Sequence, residues 1–187
     1  MAVDSAGNAY VADLKNATIR KVTAGGVVTT LAGTANMPGS ADGTGTSARF
    51  AHPVPRGGRQ CRQCLRRGRR ERHHPEGYRR GVVTTVAGAG GIRGSVDGTG
   101  AAARFALPSG VAVDSAGNVY VADVGNATIR KVTPGGVVTT VAGTAGVAGI
   151  ALGGSPRFAF PAALAIVGDS LVITDTNAVL LLRHGAR

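Results

Sequence analysis

The side chains with the most chemistry are crowded into one short stretch. PRGGRQCRQCLRRGRRERHHPEGYRR, residues 55–80, holds ten arginines, Cys61 and Cys64, the adjacent His73 and His74, and both glutamates of the chain, Glu71 and Glu76. Cys-x-x-Cys is half of a tetrahedral zinc site, and histidine is the ligand type that would complete it. The arginines would grip phosphate without regard to base sequence, as a nucleic-acid-binding arm does. Residues 54–80 carry a net charge of +8, and the other 11 basic and 8 acidic residues leave only +3 of the total of +11. One segment therefore makes the chain basic and supplies all of its thiols.

Elsewhere the candidates are sparse, and they recur. Asp42-Gly43-Thr44-Gly45 and Asp97-Gly98-Thr99-Gly100 offer oxygens to a calcium ion or a glycine-rich cradle to phosphate. One carboxylate per loop is thin for calcium. The phosphate reading lacks the P-loop lysine and a helix beyond a turn at SARF or AAARF. A tight turn in which the aspartate caps backbone amides is favoured. Asp13 and Asp123 sit in a repeated VAD motif, with Asp175 as their counterpart. Such a set could line a channel or hold a metal, but a catalytic group need not recur in every repeat, so support of a turn is favoured. Arg20-Lys21 and Arg130-Lys131 recur as well, as solvated strand positions or as partners of those carboxylates. His52 and His184 are isolated. No residue is assigned a catalytic, metal or cofactor role, and no cofactor is expected.

These residues are positioned by a repeat. VVTT begins at Val27, Val82 and Val137, each 55 residues after the last. Asp42 and Asp97, and likewise Phe50 and Phe105, are also 55 apart, while AVDSAGN recurs at Ala2 and Ala112, two periods on. The fullest unit, GVAVDSAGNVYVADVGNATIRKVTPGGVVTTVAG, spans 110–143. It reads as four strands: Val111–Val113, VYVAD, TIRKV and VVTTVAG. DSAGN, VGN and TPGG are the turns, with Pro134 pre-setting φ and Gly135 free to take a positive φ. Phe50, Phe105 and one of Phe158 or Phe160 are read as plugs between units, since each precedes a new one.

Four antiparallel strands at a fixed period describe propeller blades. VAVDSAGNVYVADVGNATIRKV closely resembles the NHL repeat family, and the glycine-rich connections resemble its bacterial form. The resemblance implies an all-β propeller, usually six-bladed, whose members bind proteins, RNA or glycan-like ligands, with some lyase or lactonase relatives. The expected organisation is an incomplete propeller over 1–187, with about three to four blades. Unit one is 1–34, the complete unit three is 110–143, and a degenerate unit four is 161–187. The second blade is disrupted over 54–80. A non-enzymatic binding or scaffolding module with a protein or glycan ligand is expected. A fragment of a propeller enzyme is the alternative, although both glutamates that a lactonase site could use lie within 54–80.

Unit two should begin at Arg56, 55 residues before Val111, yet the arginine-rich stretch stands there. Register is intact on both sides, at Phe50 and Val82, so an insertion is excluded and a corrected frameshift is not. Codons for 56–80, read one base later, can spell VAVDSAGNVYVADVGNATIRKVTAG. Every position then matches unit one or three, with choice only at degenerate bases. One extra base before Arg56 and one lost near Gly81 account for this. The zinc and nucleic-acid readings then describe incidental chemistry, and 54–80 is expected to be disordered through like-charge repulsion.

The hydrophobic share of 43% in 187 residues supports a folded core. No apolar run is long enough to span a bilayer, and MAVDSAGNAY has no signal-peptide pattern. Met1 stands at the place of Val111, inside a strand, so the chain is expected to be a gene fragment. Its localisation is open; the resemblance to bacterial NHL proteins, often exported, implies an exported or cell-surface parent.

Overall fold

The computed structural model of the chain describes residues 2–4, 6–13, 15–51, 65–69 and 81–183. The chain forms two compact units, Met1–Thr85 and Val86–Arg187. It is all-β, with only short 3-10 turns besides strands among the described residues.

In unit one, β1 (Ala2–Val3), β2 (Ala9–Asp13), β3 (Thr18–Val22) and β4 (Val28–Gly33) form one antiparallel sheet in chain order. A second sheet has the order β5-β7-β6, from β5 (Gly43–Thr44), β6 (Leu65–Arg69) and β7 (Val82–Ala87). In unit two, β8 (Gly98–Thr99), β9 (Pro108–Val113), β10 (Val119–Asp123), β11 (Thr128–Val132) and β12 (Val137–Ala142) are ordered β8-β12-β11-β10-β9. A third meander follows from β13 (Pro161–Val167), β14 (Ser170–Asp175) and β15 (Ala178–Arg183). Consecutive antiparallel strands repeated in this way are a partial propeller.

Turn chemistry sets the register. Asp114 O accepts from Gly117 N at 3.0 Å, and Asp114 Oδ1 accepts from Asn118 N at 2.8 Å, while Gly117 takes φ +80°. The TPGG turn closes through Gly136 N donating to Thr133 O at 2.9 Å. Its left-handed residue is Gly136 (φ +81°) rather than Gly135. Pro134 and Gly135 form the body of a type I turn, and the positive φ falls on the residue after it, as in three-residue hairpins. Between β10 and β11 the 3-10 turn Val124–Asn126 hands over to Ala127 at φ +54°.

Three differences from the sequence expectation concern strand number and reach. β9 starts at Pro108, three residues early. The fourth unit has three strands among the described residues, not four. The Asp-Gly-Thr-Gly stretches are not local turns: β8 pairs with β12 and β5 pairs with β7, each adding a strand to a blade from far upstream. The arginine-rich segment 54–80 lies outside the described residues except for β6.

The phenylalanines behave as expected. Phe50, Phe105 and Phe158 are buried, and Phe160, at 58% exposed, is not the plug. Each ring edge faces a glycine with φ near +90°: Gly33, Gly88 and Gly143, with Cδ2 3.1 Å from where a Cβ would stand. Only glycine has both the backbone freedom and the space at these positions. Phe158 joins Tyr120, Ala122, Ile129, Leu171 and Ile173 in the core that two sheets of unit two share.

Candidate functional site

Two recurrent carboxylates of the body Val86–Arg187, Asp123 and Asp97, meet on one buried arginine. Asp123 ends β10 and is fully buried. Its Oδ1 accepts from Ala106 N at 2.7 Å; its Oδ2 accepts from Asn126 Nδ2 at 2.6 Å and Arg130 Nη1 at 3.1 Å. Arg130, on β11, is also fully buried. It donates to Asp123, to Asp97 at 2.6 Å, and to the carbonyls of Arg104 and Val96 at 3.0 and 3.1 Å. Its guanidinium lies 5.1 Å from the centre of the Phe105 ring. The rigid planar fork of arginine suits this many acceptors, and a lysine would leave several unmet.

Burial pushes the Asp123 carboxyl above its ordinary range, against hydrogen bonds from Asn126 and Ala106 and the charge of Arg130. All three partners donate, the pattern of an ionised carboxylate. Asp97 is more exposed. Burial also pushes it upward, but donors from Thr140 and Arg130 outweigh that and leave it below its ordinary range. Thr140 offers both its N–H, at 2.9 Å, and its hydroxyl, at 3.1 Å, to Asp97. Asp42 repeats this with Thr85, both contacts at 2.8 Å. Asp175 is fully buried and accepts from Ala159 N and Phe160 N at 2.8 and 2.6 Å.

The sequence-derived candidates therefore divide clearly. Asp123 and Asp175 each fasten the loop that enters their blade, as the turn-support reading expected. Arg130 is a partner of Asp123 and Asp97 and not a solvated residue. Lys131 keeps its ammonium 6.0 Å from the Tyr120 ring. Asp13 reaches only Asn16, at 2.8 Å through its side chain. No cluster of three or more metal-ligating side chains exists among the described residues. Cys61, Cys64, His73, His74, His52 and His184 lie outside the described residues. So does most of the segment proposed to bind nucleic acid, which gains no support here.

Sequence reading missed Thr85 and Thr140 as receptors and Asn126 as a clamp residue. A signal was present: each Asp-Gly-Thr-Gly stands 40 residues before a Val-Val-Thr-Thr, at Asp42 and Val82 and again at Asp97 and Val137.

What this arrangement does chemically is to hold backbone: each buried carboxylate accepts from three internal donors, backbone amides among them. No helix among the described residues is long and apolar enough to cross a membrane.

Residues 105–132 match the NHL repeat family model. Among curated proteins no sequence match is found. Solved structures similar to the chain include an auxiliary nutrient binding protein from Bacteroides thetaiotaomicron, at 18% identity and TM-score 0.63, covering 91% of this chain and 43% of that one. A second auxiliary nutrient binding protein, from Bacteroides ovatus, is 22% identical with TM-score 0.63 and the same coverage. A putative phosphatase from Bacteroides thetaiotaomicron is 16% identical with TM-score 0.62, covering 97% of this chain and 47% of that one. The chain thus spans less than half the length of these structures, and likeness at such identity concerns the fold. Asp123 and Arg130 lie within residues 105–132, the stretch that matches the NHL repeat model, in an all-β partial propeller.

Proposed function

We propose that the chain is a non-enzymatic binding or scaffolding module, whose recognition surface lies on exposed loops of the blades. One observation carries this reading: the carboxylates Asp42, Asp97, Asp123 and Asp175 all accept from backbone amides, so they are occupied in holding the fold. What remains for recognition is exposed and apolar. Val147, Ile150, Leu152 and Phe160, on the connection into the last meander, all keep more than a third of their surface in water. Loops held on a rigid sheet framework are where recognition usually resides. The ligand class is a protein segment or a glycan. The description of two structural relatives as nutrient binding proteins is in keeping with this reading, at the level of fold alone.

Calorimetric titration of the purified chain with a panel of soluble oligosaccharides and peptides tests the proposal. Saturable binding that weakens at least tenfold for Leu152→Asp or Phe160→Asp, with no turnover, is the expected result. Multiple-turnover hydrolysis of p-nitrophenyl phosphate or a simple lactone would instead favour the enzyme reading, provided that it is lost in an Asp97→Asn or Asp175→Asn chain that still folds.

A further inference from the structure

The clamp of Asp123 and Arg130 leaves two of its own atoms unserved. Thr128 Oγ1 and Arg130 Nε are buried, and neither has a hydrogen-bond partner among the described residues. Thr128 is 1% exposed and Arg130 0%. A buried polar atom left unpaired has lost its hydration without return, so each one calls for a partner. Both residues lie on β11, two apart, and residues so spaced face the same side of a sheet. Thr128 stands directly across from Asp123, whose Oδ2 takes Arg130 Nη1 at 3.1 Å. The arginine side chain therefore runs back along the strand towards the Thr128–Asp123 pair, and both orphaned atoms neighbour the same buried carboxylate.

The same two atoms are orphaned in blade one. Thr18 Oγ1 and Arg20 Nε on β3 are buried and lack a partner among the described residues, and Thr18 pairs across with Asp13. The surroundings differ: Asp13 bonds Asn16, whereas Asp123 bonds Ala106, Asn126 and Arg130. A shortfall that persists when the surroundings change belongs to the Thr-x-Arg spacing itself. Charge then narrows what could meet it. Arg130 Nε–H only donates, which excludes a cation. Asp97 and Asp123 against one guanidinium leave an excess of negative charge, which opposes an anion. A neutral molecule that both accepts and donates fits: it accepts from Nε–H and bonds the hydroxyl, which can act either way. Asp123 Oδ1, which takes Ala106 N, keeps a lone pair for a further proton.

We propose that Thr128 Oγ1 and Arg130 Nε bind one internal water molecule, held beside Asp123 as a fixed part of the clamp. With Asp123 Oδ1 the water has three polar neighbours, the usual complement of a buried water. The site also gives Thr128 a purpose that strand propensity does not. Valine has the same shape and suits a strand equally, and it brings no hydroxyl to be satisfied in a buried place. The inference is independent of the loop-borne ligand proposed above.

The test is water-selective NMR on the full chain with isotope-labelled arginine and threonine. It reads cross-relaxation from water to the Arg130 Nε–H proton and to the Thr128 methyl group. The expected result is a cross-peak at both, with the sign of a water that tumbles with the protein. Thr128→Val should abolish the peak at Arg130, and Thr128→Ser should retain it. If the valine chain does not fold, the wild-type and serine chains decide, since both must show the peak. Absence of the peak in the wild-type chain, or its persistence in a folded Thr128→Val chain, would overturn the proposal. So would a peak that grows with pH, which would mark relay through the exchanging Thr128 hydroxyl in direct contact with Arg130. A saturable shift of the Arg130 Nε–H resonance with sodium chloride would mark an anion and overturn it as well.

Discussion

Blades one and three share almost the same sequence and differ in what surrounds it. Unit one reads YVADLKNATIRKV from Tyr10 and unit three reads YVADVGNATIRKV from Tyr120. β10 is buried at all five positions, while β2 is buried at none. Asp123 and Arg130 are sealed in a network, whereas Asp13 has a local contact to Asn16 and Arg20 is only partly buried. The middle strands β2 and β3 match β10 and β11 position for position, and even the register shift at Ile19/Arg20 and Ile129/Arg130 is the same. What differs is the stretch 94–106, which brings Gly94 O, Val96 O, Asp97, Arg104 O and Ala106 N to blade three. The blade sequence specifies its own strands, and the preceding repeat's loop converts its polar residues from solvated groups into a buried clamp.

The largest way to sharpen this contrast is to supply the blade that the repeat predicts over 56–80. Loop 39–51 is the counterpart of 94–106: its Arg49 donates to Ala48 O as Arg104 donates to Ala103 O, both at 2.8 Å. Its Asp42 already holds Thr85. Replacing 56–80 by VAVDSAGNVYVADVGNATIRKVTAG introduces Gly68→Asp and Pro75→Arg at the clamp positions. If frame loss created the present segment, this replacement should raise the thermal midpoint by roughly 10 °C or more, since several kcal/mol of burial is gained. An unchanged or lower midpoint in calorimetry would count against both the frameshift and the neighbour-dependence of the clamp. The nucleotide sequence tests the frameshift directly, through the two single-base changes it requires.

Next in size is the pair Arg130→Met and Arg20→Met. Removing one partner of a buried ion pair strands the other charge, so the first should cost about 3–5 kcal/mol in urea unfolding. Arg20 is only partly buried, and its removal should cost less than about 1 kcal/mol. Equal losses would mean that the arginine matters to its own blade and that the loop is incidental.

This pairing also explains what was legible beforehand. Strand positions, the DSAGN turns, the phenylalanine plugs and the structural role of Asp123 follow from patterns inside one repeat. The burial of Arg130 and the seating of Asp97 on Thr140, 43 residues away, do not. A window of sequence shows that arginine and aspartate recur but not which neighbour closes over them. The identical TIRKV in blade one, with Arg20 left partly open, shows that no local pattern can carry this information. The misplacement of the positive φ at Gly135 is a smaller failure of the same window: with two glycines in a row, composition does not choose between turn body and turn exit.

The smallest effect comes from the feature in which the blades agree. Asp4 and Asp114 both open a DSAGN turn, and the turn supplies its own donors. The Asn8 side chain, with further amide and Tyr10 donors, lowers Asp4 from 3.8 to about 2. Asn118 does the same to Asp114, in direction. A carboxylate whose folded pKa is depressed contributes stability above its unfolded value and loses it as pH falls through the folded one. Stability from Asp4 should therefore decline between about pH 4 and pH 2, with Asp114 and Asp97 acting in the same sense. Asp123 has the opposite sign, because burial raises it: its ionisation costs stability at neutral pH, and that cost is relieved as acid protonates it. Carbon-detected NMR titration should find Asp4 and Asp114 moving together below the ordinary carboxylate range, with Asp123 above it. A turn aspartate that titrated normally in blade one but not in blade three would show that even this local motif depends on its neighbour. The division between what a repeat builds alone and what it borrows would then have to be redrawn.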